Sequence, residues 1–61
     1  MNMIELKRNV FLLYDNARIL FNDYYNKCWN SKEDYTEEDI KRILELFERI
    51  ETNIKDFKEE L

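Results

Sequence analysis

Few side chains in this sequence could do chemistry. The chain of 61 residues has no histidine, a single cysteine, Cys28, and a single serine, Ser31. Nucleophilic and general acid–base catalysis need a base held within hydrogen-bond reach of the reacting group. Cys28 has only the neighbouring Lys27 to lower its pKa, and a small packed residue at the edge of a helix seam is the simpler role for it. Glu33, Asp34, Glu37, Glu38 and Asp39 concentrate the charge that a hard cation takes, but they lack EF-hand spacing and the glycine of its sharp turn. The i,i+3 carboxylate pairs Glu48–Glu51 and Asp56–Glu59 lack the Glu-x-x-His partner pattern of a di-metal bundle. The chain is therefore expected to be non-enzymatic, with no catalytic residue, cofactor, metal or small-molecule substrate.

Aromatic residues are the more suggestive set. Phe21, Tyr24, Tyr25, Trp29 and Tyr35 gather near the middle of the chain, and tyrosine and tryptophan are enriched where proteins bind one another. They could instead cap the end of a core and bury each other. Phe11, Tyr25 and Trp29 are the candidates for an exposed patch. Leu12 and Ile19, seven residues apart on an otherwise polar side, are candidate dimer or partner contacts. A stripe of Lys7, Phe11, Arg18, Asn22 and Tyr25 mixes basic, amide and aromatic groups, as an RNA contact surface would. A partly covered bundle surface would carry the same mixture.

The elements that must position these groups are helices. Glycine and proline are both absent, which removes the usual means of turning a β-hairpin and leaves long helices unbroken. In the second half Ile40, Ile43, Phe47, Ile50, Ile54, Phe57 and Leu61 step by 3 and 4, a heptad seam that predicts a helix over about 36–60. Thr36 is its N-cap, with Asp39 three residues on as a capping-box variant and Tyr35 and Ile40 placed as a hydrophobic staple. Glu37, Glu38 and Asp39 complement the dipole of the first turn. Glu37–Lys41, Glu38–Arg42, Glu45–Arg49 and Glu51–Lys55 are i,i+4 pairs in the favoured order.

The first half repeats the period in Met3, Leu6, Val10, Leu13, Ala17, Leu20 and Tyr24, predicting a helix over about 3–29. Asn2, Asn9, Asn16 and Asp23 recur every seven residues along one flank, and Tyr14, Phe21 and Cys28 along the other. Residues 30–35 remain for a short turn, so the fold class is all-α, a two-helix antiparallel hairpin in a single domain over 1–61. The layout resembles the Rop family of plasmid copy-number control, similarly short helical hairpins that dimerise. The likeness is one of architecture and transfers no functional residue.

Helix 1 carries more apolar surface than one neighbour covers. Ile4, Phe11, Leu12, Ile19, Tyr25 and Trp29 all lie outside its seam, and so wide an apolar arc calls for neighbours on more than one side. So short a chain is also marginal alone. A homodimer, two hairpins making a four-helix bundle, is the expected remedy.

The net charge is −4, divided unevenly: four basic and three acidic residues over 1–29, six basic and eleven acidic over 30–61. An acidic chain disfavours broad nucleic-acid binding. No apolar run is long enough to span a membrane and no signal-peptide plan opens the chain. An intracellular, cytoplasmic protein is the expectation, and a lone cysteine fits a reducing compartment. Three functions follow as expectations: a homodimeric protein–protein interaction or regulatory module, an RNA-binding dimer using the helix 1 stripe, or a structural subunit of a heteromeric helical assembly.

Overall fold

The computed structural model describes residues 1–30 and 34–61, which form an all-α hairpin of two helical arms. The first arm is α1 (Met3–Ile19), a π-helical turn (Leu20–Tyr25) and α2 (Asn26–Asn30). The second is α3 (Glu37–Glu59). The expected turn falls largely on residues 31–33, outside the described residues. Asn16 pairs with Asn53 and Lys27 with Asp39, so later residues of one arm meet earlier residues of the other and the arms run antiparallel. The molecule measures 45 × 18 × 11 Å, two helices wide and one helix thick.

Both arms begin where side chains satisfy the first backbone amides. The Asn2 side chain accepts from the N–H groups of Ile4 and Glu5, a cap that the heptad reading had counted only as a flank position. At α3 the expected capping box is formed: Asp39 N–H donates to Thr36 Oγ1, 3.1 Å, and Thr36 N–H donates to Asp39 Oδ2, 3.0 Å. Lys27 Nζ reaches the same carboxylate at 3.0 Å. The Thr36 amide first, and the Lys27 ammonium second, hold the Asp39 carboxyl below its ordinary value.

Two expectations are corrected. Helix 1 is not a continuous α-helix: Asn26 N–H bonds back to the Phe21 carbonyl, five residues earlier, widening one turn. The four i,i+4 charge pairs of helix 2 do not close among the described residues. Arg42 turns instead to Glu45, 3.1 Å. These side chains stand in water, where holding two long side chains together gains little.

The line of contact between the arms also differs from the expected seam. In α3 the inward positions are Ile43, Leu46, Ile50, Asn53 and Phe57, with Leu46 wholly buried and Asn53 nearly so. In the first arm they are Leu6, Asn9, Leu13, Asn16 and Leu20, with Leu6 and Asn9 buried. Six of the fourteen expected seam residues therefore face outward: Ile40, Phe47, Ile54 and Leu61 in the second arm, Met3 and Val10 in the first. Phe47 follows Leu46, and Ile54 follows Asn53, by one residue, about 100° around the helix. A single neighbour covers only one side of a helix. The apolar seam is centred off that side, and its outer half is left bare.

Candidate functional site

The bare half-seams of the two arms lie on the same broad face of the hairpin. At the open end Met3, Leu6 and Val10 share a groove with Phe57. Beside it Val10 and Leu13 face Ile54, Phe57 and Leu61. Towards the turn Ala17, Leu20, Phe21 and Tyr25 line a third groove with Ile43 and Phe47. The lining is almost wholly apolar, with Lys7 and Lys58 at the border. On the other side of the contact line the grooves are polar. Asp15 and Asn16 stand opposite Glu45, Arg49 and Thr52, and Glu5 and Arg8 opposite Asp56 and Glu59. One molecule thus has a greasy face and a wet face.

Heptad chemistry produces this asymmetry. Val10 and Ala17 each follow an inward asparagine, Asn9 and Asn16, by one residue. Ile54 likewise follows Asn53. The chain steps from the contact line onto the apolar face at all three places. Asn16 Nδ2 donates to Asn53 Oδ1 at 3.1 Å, joining two of the inward asparagines across the arms. Among the described residues no buried side-chain nitrogen or oxygen lacks a partner.

The turn end of the apolar face carries an aromatic ladder. Phe21 and Tyr25 stack with centroids 5.2 Å apart, and Tyr25 and Trp29 follow at 6.1 Å, their rings tilted by 50°. Residues four apart normally drift around an α-helix, and the wide turn between Leu20 and Tyr25 offsets that drift. Tyr24 lines the same groove and stands edge-on to Tyr35 at 6.5 Å. The Tyr35 hydroxyl donates to the Tyr24 carbonyl at 2.8 Å, a backbone acceptor within the π turn. Tyr35 thus reaches back to the first arm as well as preceding the cap of α3.

The structure divides the candidate partner contacts. Tyr25 lies on the apolar face with Trp29, 69% exposed, tilted beside it. Phe11, 63% exposed, stands on the outer side of α1. Leu12 is half-buried in the polar groove beside Asp15 and Thr52, and Ile19 is half-buried as well. These five residues do not make one patch. The stripe of Lys7, Phe11, Arg18, Asn22 and Tyr25 is exposed throughout, and its Arg18 pairs with Asp15 at 2.9 Å. Sequence reasoning placed Ile40, Phe47 and Ile54 in the core and so missed them as surface. Matching Asn16 to Asn53 across the arms was the signal that would have rotated the seam outward.

Among the described residues no group of three acidic, cysteine or histidine side chains is set to hold a metal ion, and no helix is long and apolar enough to cross a membrane. The chain matches no family model, no curated protein and no solved structure.

Proposed function

We propose that this chain is a small non-enzymatic protein–protein interaction module, regulatory in role, that works as a homodimer of two hairpins joined face to face into a four-helix bundle. The single observation that carries the reading is the continuous apolar face with Val10, Phe21, Phe47 and Ile54 standing out of it. The broad side of the hairpin, 45 × 18 Å in overall extent, has room for the roughly 800 Å² that each partner contributes to a standard specific interface. A monomer seldom leaves so large an apolar patch in water. The expected seams suit the same assembly: in a four-helix bundle an apolar seam points between two neighbours, towards the bundle centre, rather than straight at one.

Light scattering on the purified protein tests this. At micromolar concentration the wild-type chain should scatter as twice its 7.7 kDa mass. Phe47→Asp, on the apolar face, should return it to the monomer mass, and Thr52→Asp, in the polar groove, should leave the dimer intact. A wild-type protein that stays helical and monomeric throughout that range rejects the proposal.

A further inference from the structure

The occupant of the apolar face, on the homodimer reading above, is a second copy set in one particular orientation. We infer that the two hairpins are related by a twofold axis parallel to their helices, so that the first arm of each lies on α3 of the other and both turns sit at the same end. Two orientations bring the apolar faces together. With the axis parallel to the helices, the first arm meets the partner's α3 at the same height. With the axis perpendicular, each arm meets its own copy and the turns lie at opposite ends.

Charge along the borders of the face separates the two. The outer border of the first arm runs through Ile4, Lys7, Phe11, Tyr14, Arg18 and Phe21, every three or four residues, and contains no acid. The border of α3 runs through Glu37, Leu44, Phe47, Glu51, Ile54 and Lys58, with two acids and one base, a net charge of −1. The perpendicular axis sets the basic border against itself, and like charges brought together are destabilising. The parallel axis sets the basic border against the one that carries Glu37 and Glu51.

Height gives the pairing. Asn16 bonds to Asn53, so Arg18, two residues on, stands level with Glu51, two residues back. Both are exposed, Arg18 between Tyr14 and Phe21 and Glu51 between Phe47 and Ile54. In the parallel arrangement Arg18 therefore meets the Glu51 carboxylate of the second copy. Two turns nearer the open end, Phe11 meets Lys58 in the same way, a cation over an aromatic face. Arg18 holds Asp15 on its own helix at 2.9 Å, and a guanidinium with five donors serves two carboxylates. The carboxylates of Asp34, Glu37 and Glu38 then gather at one end. All are exposed, where salt screens repulsion beyond about 10 Å.

Two measurements test the orientation. Arg18→Glu and Glu51→Arg should each weaken the dimer about fivefold, in line with an exposed ion pair, and the double variant should recover to within about twofold of wild type. In a Cys28→Ser background, spin labels on Glu38→Cys should lie about 20 Å apart, two helix layers across. With turns at opposite ends the separation is set by the 23 residues of α3, about 35 Å. A dimer with the long distance, or with no rescue in the double variant, overturns the orientation and leaves the homodimer standing. A monomer at every concentration overturns both.

Discussion

Asn53 shows how much one polar side chain settles inside so thin a molecule. It is buried between the arms, accepts from Asn16, and lies next to the wholly buried Leu46 in the heptad order of α3. A buried amide bonded across the arms favours one register, because sliding the arms by a turn would strand both groups. Asn53→Ala strands Asn16 and opens space between the arms. Urea denaturation should show a loss of about 1–3 kcal/mol. A change below the error of the measurement would mean that the pair holds no register. Asp39 is the second residue of this kind. One carboxylate serves the Thr36 amide and the Lys27 ammonium together, closing the turn end of the hairpin from both arms.

Among the elements, the π turn has the widest effect. It lets Tyr24 face Tyr35 while Phe21, Tyr25 and Trp29 line up on the apolar face. A widened turn is less well bonded than an α-helical one, and the Tyr35 hydroxyl supplies a donor to it from the base of α3. Tyr35→Phe removes that donor and keeps the ring. It should lower stability by about 0.5–1.5 kcal/mol and disturb the amide resonances of residues 20–26 before those of α3. Uniform change along both arms would reject a local role. Caps such as Thr36 with Asp39 were legible in the sequence because their chemistry is complete within four residues. The π turn was not. No residue type marks it, and its contact with Tyr35 joins residues eleven apart along the chain.

At the scale of the whole molecule, the two arms and their antiparallel course were legible from heptad spacing and chain length. Which residues face inward was not. Heptad spacing reports the direction in which a helix is greasiest, and here that direction bisects the neighbour it has and the face it leaves open. Leu46 and Phe47 make the point: adjacent in sequence, the first is 0% exposed and the second 47%. The outcome is a slab 11 Å thick, a single layer of helices. A slab of this kind has no deep interior, so in a dilute solitary hairpin almost every peptide N–H should trade its proton for deuterium through small local openings. Slow-exchanging amides, clustered under Val10, Phe47 and Ile54 and strengthening with protein concentration, would then be a property of the association and not of the chain.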